Sequence, residues 1–161
     1  MLTSSLTGKS VIVTGGSKGI GKGIARVFAA HGAKVLIAAR HLKDAEACAE
    51  ELKKAGGTAS ACAADVTKLS DMEAMAKIAV ERHGGLDVLC ANAGIFPQAK
   101  IEDMAPETWD EVMNTNLKGT FLSVKACVPY LKKSSQGRIV LTSSITGPVT
   151  GYPGWTHYGA T

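Results

Sequence analysis

Apolar positions along this chain follow two alternating rhythms. Ser10–Thr14 is a short β-branched run closed by glycines, and Ile20, Ile24, Val27 and Phe28 then recur at helical spacing up to Gly32. The pattern repeats. Lys34–Ala39 predicts a second strand, and Leu42, Ala45, Ala49 and Leu52 predict a second amphipathic helix that stops near Gly56 and Gly57. Thr58–Ala63 predicts a third strand. Ser70, Asp71, Met72 and Glu73 read as a capping box opening a helix whose apolar face is Met72, Met75, Ala76 and Ala79. Residues 86–91 predict a fourth strand, and 106–133 read as mostly helical, with Pro106 suited to the start of a helix. Phe121, Val124, Val128 and Leu131 share one stripe of that helix, and Pro129 kinks it or marks its last turns. Residues 138–143 predict a fifth strand, followed by a stretch rich in Gly, Pro, Thr and Tyr.

Five strands alternating with helices predict an α/β fold with a doubly wound parallel sheet in three layers, because right-handed crossovers lay the helices back on both faces. Ligands of such sheets bind beyond the carboxyl ends of the strands. The 161 residues, 45% hydrophobic, suit one domain spanning 1–161. Eighteen glycines fit a chain of many tight strand-to-helix turns.

Charge and cysteine usage narrow the function. The net charge of +4 is dispersed, with no basic run to track a nucleic acid or a membrane surface. The apolar runs at 35–39 and 139–141 are too short for a membrane span, and the first residues show no leader pattern, which places the protein in the cytoplasm. Cys48, Cys62, Cys90 and Cys127 are too scattered for a zinc or redox motif and read as buried thiols, and the four histidines form no ligand pair. No metal site is expected.

The candidate chemistry begins at Thr14-Gly15-Gly16-Ser17-Lys18-Gly19-Ile20-Gly21, between the first strand and first helix. Glycines there let a backbone approach a pyrophosphate, and the helix amino terminus attracts its charge. A P-loop is excluded, since Gly23 stands where a Ser or Thr must hold magnesium.

This glycine motif, taken in order with Asp65-Val66, Asn92-Ala93-Gly94, Asn116, Ser144 and Tyr158, resembles the short-chain dehydrogenase/reductase family over the whole chain. The resemblance implies a Rossmann fold and a nicotinamide cofactor. It assigns cofactor contacts to Gly15, Ser17, Lys18, Gly19, Ile20, Gly21, Asp65, Val66, Asn92, Ala93, Gly94 and Tyr158, with Asp65 at the adenine ring. Ala91 departs from the second asparagine many relatives carry before this turn. Where an NAD-binding chain would end its second strand on an acid, this one has Ala39 followed by Arg40. Arg40 and Lys18 can grip a 2′-phosphate, so NADP(H) is the expected cofactor.

For catalysis the resemblance implies Tyr158 as proton donor, Ser144 as carbonyl polariser and Asn116 as support for a proton relay. Ser143 adjoins Ser144, and the strand's register decides between them in favour of Ser144. The family's fourth member, a lysine, would follow Thr161 directly, so the chain reads as the amino-terminal part of a longer enzyme, inactive in its 161-residue form. A small carbonyl or alcohol is the implied substrate: a 3-oxoacyl thioester carried on acyl carrier protein first, a sugar, steroid or quinone as alternatives. Relatives use the helix 117–133 as a subunit contact, which implies a homo-oligomer, dimer or tetramer. A non-catalytic nucleotide-binding module is the competing reading; a lysine codon or a stop after Thr161 separates the two.

Overall fold

The computed structural model describes residues 5–161. Its elements run β1 (Ser10–Thr14), α1 (Gly19–Ala30), β2 (Lys34–Ala39), α2 (Leu42–Lys54), β3 (Thr58–Ala63), α3 (Leu69–His83) and β4 (Val88–Ala91). Then follow α4 (Pro106–Val112), a π-helical segment (Met113–Lys118), α5 (Gly119–Leu131), β5 (Arg138–Leu141) and the single turn α6 (Thr156–Gly159). The strands form one parallel sheet in the order β3-β2-β1-β4-β5. This is the expected α/β arrangement.

Alternation along β1 explains the two layers of helix. Val11 and Val13 face one side, where Val35, Ile37, Ala25, Ala29, Cys48 and Leu52 close a core under α1 and α2. Ile12 faces the other, where Leu36, Leu89, Met72, Met75, Leu122 and Cys127 form the core under α3 and α5. A strand covered on both faces must be apolar throughout, which is why β1 and β2 read as continuous runs. All four cysteines are free and buried in these layers. Burial pushes the thiols of Cys62 and Cys90 up to about 11 and that of Cys127 up to about 12, so none is a ready nucleophile.

β5 is the exception to this coverage: Ile139, Val140 and Leu141 are 41%, 48% and 54% exposed at the sheet edge. Among the described residues, no helix is long and apolar enough to cross a membrane.

Four expectations are corrected. The fourth strand begins at Val88 rather than 86, because the Asp87 carboxylate takes the Ser10 N–H at 2.9 Å in place of a ladder carbonyl. The fifth strand stops at Leu141 rather than 143: Thr142 still donates to Ala91, after which the neighbouring chain turns toward β1 and offers no partner. The Ser70 capping box does not form. The helix starts at Leu69 with Lys68 in the cap position, two residues before Ser70 and without a side-chain hydrogen bond, and the Asp71 carboxylate accepts the Asp65 N–H at 3.0 Å. The helical stretch ends at Leu131 rather than 133, running without a gap through α4, the π-helical segment and α5, and Pro129 lies two residues before its end, in the last turn.

Candidate active site

Strand order sets the position of the site. From β1 the chain moves outward to β2 and β3, then returns to lay β4 on the opposite side, so a crevice opens between the carboxyl ends of β1 and β4. The glycine loop leaves β1 there, and the Asn92 turn leaves β4 beside it. Thr14, buried at the end of β1, joins the two: its Oγ1 accepts from the N–H of Asn92 at 3.0 Å and of Ala93 at 3.2 Å. Asn92 returns the connection, its Nδ2 donating to the Thr14 carbonyl at 3.1 Å. Thr142, just past β5, donates to Asn92 Oδ1 at 3.1 Å. Thr14, named in sequence only as the first residue of the glycine motif, and Thr142, read as strand, are site-building residues whose roles sequence reasoning missed.

Within the loop the glycines answer different demands. A Cβ on Gly21 would strike the Gly15 carbonyl oxygen and stand 2.6 Å from Asn92 Nδ2, so packing alone requires glycine there. Gly19 has a φ of +55° with nothing within 4 Å of its Cβ position, which leaves open space at the start of α1. No side chain caps α1 and its first turn holds no acid, so its leading N–H groups are free for an anion. Ser17 is half-buried in the loop, and Lys18 and Ile20 are exposed, Ile20 by 70%. These residues fit a dinucleotide's pyrophosphate.

Arg40 lies just past β2 and, like Lys18, is exposed and forms no ion pair among the described residues. Both cations stand free for an outside charge. Asp65, past β3, holds Thr67 through its Oδ1, which accepts from the Thr67 N–H at 3.0 Å and its hydroxyl at 2.8 Å. Burial raises the Asp65 pKa, but those hydrogen bonds, with Lys68 and Arg40 nearby, outweigh it and keep the carboxyl below its ordinary range. It is ionised at neutral pH. The Val66 side chain is 7% exposed and packs in the core against Gly119, where a Cβ would come within 2.7 Å of its Cγ2, which leaves its main chain as the part that could meet a cofactor.

The π-helical segment carries Asn116 and turns its amide toward the Asn92 turn. Asn116 Oδ1 accepts the Ile95 N–H at 2.8 Å, and its Nδ2 donates to the Ile95 carbonyl at 2.9 Å and to Thr161 Oγ1 at 3.3 Å. Gly94 keeps clear of it; a Cβ there would be 3.3 Å from Asn116 Oδ1. Thr161 in turn donates to the Tyr158 carbonyl at 2.8 Å, so Asn116 ties the chain past β4 to the turn bearing Tyr158. π turns insert an extra residue into the helical repeat, a device common at functional sites.

Tyr158 is half-buried on α6, which packs on α4 and the π-helical segment. Its ring meets Trp155 at 5.8 Å and Phe96 at 5.9 Å, and Trp155 leans on Tyr152 at 4.6 Å. Beside Tyr152, a cavity of about 640 Å³ is lined by Gln98, Lys100, Asp103 and Pro153. Ser144 is half-buried and its Oγ accepts the Thr146 N–H at 3.1 Å, whereas Ser143 is exposed. An oxygen occupied as acceptor keeps its own proton to donate.

Comparisons with known proteins agree with this architecture. The short chain dehydrogenase family profile matches residues 9–161. An uncharacterized oxidoreductase of Listeria monocytogenes is 35% identical over 157 residues, which are 98% of this chain and 63% of that protein. A 3-ketoacyl-ACP reductase from Sinorhizobium meliloti superposes with a TM-score of 0.89 at 41% identity, covering 93% of this chain and 60% of that one. A short chain dehydrogenase from Burkholderia cenocepacia in complex with NADP does so at 0.89 and 33% identity, covering 98% and 64%. The chain thus spans 63% of the length of the Listeria relatives and no more than about two thirds of the two superposed structures. With the sheet order, the glycine loop and the profile match in agreement, the chain belongs to the short-chain dehydrogenase/reductase family.

Proposed function

We propose that the full protein is an NADP(H)-dependent oxidoreductase that interconverts a carbonyl and an alcohol, with Tyr158 as its acid. The observation that carries this reading is the Asn116 amide, which binds the Ile95 main chain on the cofactor side and Thr161 beside Tyr158. One side chain so joins the nucleotide crevice to the proton donor. When bound, NADPH supplies the hydride. Tyr158 gives its hydroxyl proton to the carbonyl oxygen as charge develops on it, and the Ser144 hydroxyl donates a hydrogen bond to the same oxygen. Lys18 and Arg40, which form no ion pair among the described residues, would hold the 2′-phosphate.

The S. meliloti neighbour bears on the substrate. Its name supports a 3-oxoacyl thioester, presented on acyl carrier protein, as the first candidate; the aromatic group around Tyr158 also suits a steroid or quinone ketone. α5 exposes Phe121 by 59%, with Leu117 at 49% just before it, an apolar surface that supports a homo-oligomer in the cytoplasm.

Tyr158→Phe in the full chain is expected to bind NADPH within twofold of wild type and to lose turnover at least a hundredfold. Full turnover in that variant overturns the assignment.

A further inference from the structure

We propose that Gly147 is a positioning residue: its lack of a side chain lets the loop carrying Ser144 lie directly on the turn carrying Tyr158, and that contact sets the spacing of the two hydroxyls. The inference rests on the catalytic reading above and adds to it a residue with no chemistry of its own.

The loop is a locked turn. Val149 and Thr150 both donate to the Ile145 carbonyl, at 3.1 and 3.0 Å, and Gly147 donates to the Thr150 carbonyl at 2.8 Å. Ser144 is held into it by the Thr146 N–H. Gly147 therefore has a fixed place three residues from Ser144, with a φ of +106° that L side chains rarely adopt. Its face meets Gly159, the residue after Tyr158. A Cβ on Gly147 would stand 3.1 Å from the Gly159 carbonyl carbon, 3.3 Å from its Cα, and nearer still to the carbonyl oxygen. Those are backbone atoms, and α6 cannot rotate them aside: Gly159 donates to Trp155 at 2.8 Å within the turn. The converse substitution is mild, since a Cβ on Gly159 meets nothing closer than 3.5 Å. The constraint belongs to position 147. A side chain there must push the serine loop and the tyrosine turn apart, while the crevice between β1 and β4 is untouched.

The test uses the full chain and three variants. Gly147→Ala is expected to bind NADPH within twofold of wild type, to lose kcat at least tenfold per NADPH-binding site, and to shift the pH profile of kcat. A lowered folded fraction would scale that profile without moving it. Gly151→Ala lies in the same loop with open space at its Cβ and is expected to keep wild-type kcat. Tyr158→Phe separates the two readings: if it remains active, the catalytic reading fails, and this inference with it. If Tyr158→Phe is inactive and Gly147→Ala keeps kcat within twofold or leaves the pH profile in place, this inference alone is overturned. Should Gly147→Ala fail to fold, a crystal structure of the wild-type full chain with NADPH decides. Gly147 resting on Gly159 supports the proposal, and a gap wide enough for a methyl group overturns it.

Discussion

Replacing Thr14 with valine tests how the site is assembled, because it deletes one oxygen and changes little else. The side chain is 1% exposed and its Oγ1 accepts two main-chain N–H groups, from Asn92 and Ala93. Valine keeps the shape and leaves both donors facing a methyl group. An orphaned buried donor costs about 1–3 kcal/mol. Both residues are half-buried, so the lower half of that range applies to each, about 2–4 kcal/mol together. For a chain of this size that lowers Tm by roughly 4–16 °C. Thr14→Ser keeps the acceptor and loses one methyl, about 0.8 kcal/mol. Thermal unfolding followed by far-UV circular dichroism should therefore rank valine as clearly worse than serine, and NADPH titration should show weaker binding in the valine variant. A packing account gives the opposite order. Serine proving more destabilising than valine would refute the role given to this hydroxyl.

Cofactor choice and acid stability can be examined in the same way. Ala39→Asp sets a carboxylate at the end of β2 beside Arg40, and is expected to weaken NADPH binding about tenfold or more while improving NADH binding. An unchanged NADPH-to-NADH ratio in fluorescence titration contradicts the 2′-phosphate site. His83 hydrogen-bonds with Ser10 Oγ at 2.9 Å and lies near Ser60, with burial, then Lys34 and Arg82, holding its pKa below 6.5. The folded state then binds its proton less readily than the unfolded state. The contribution is complete above pH 6.5 and is lost as pH falls from there toward the lower folded value. The fall in Tm from pH 7.5 to pH 5.5 should be shallower in His83→Gln than in wild type; parallel curves would remove His83 from the account.

Much of the sheet was legible because double coverage leaves only apolar residues inside β1, between Ser10 and Thr14, and in β2 after Lys34. Residues 138–143 read equally well as strand, yet pairing ends at Leu141, since register depends on where the neighbouring strand departs. The π turn was invisible. Helical spacing holds on both sides of it, and a one-residue insertion changes the phase without interrupting the apolar pattern. The capping box failed for a non-local reason, the Asp71 carboxylate being drawn to the Asp65 N–H. The role of Thr14 was hidden because its partners Asn92 and Ala93 lie just past β4, 78 and 79 residues away, and become neighbours through sheet order alone. The motif residues Asn92, Asn116 and Tyr158 were visible as letters; what joins them, the Ile95 main chain and Thr161, carries no signature in sequence.

The most direct test of the central claim is hydride transfer itself. The full chain would be incubated with NADPH deuterated at the transferable position and, separately, with equally labelled NADH, against 3-oxoacyl thioester and steroid ketones, and the alcohol products weighed by mass spectrometry. The account predicts an alcohol carrying one deuterium on the former carbonyl carbon, formed faster from NADPH than from NADH. Tight NADPH binding with no label in any product, or faster transfer from NADH, would contradict it.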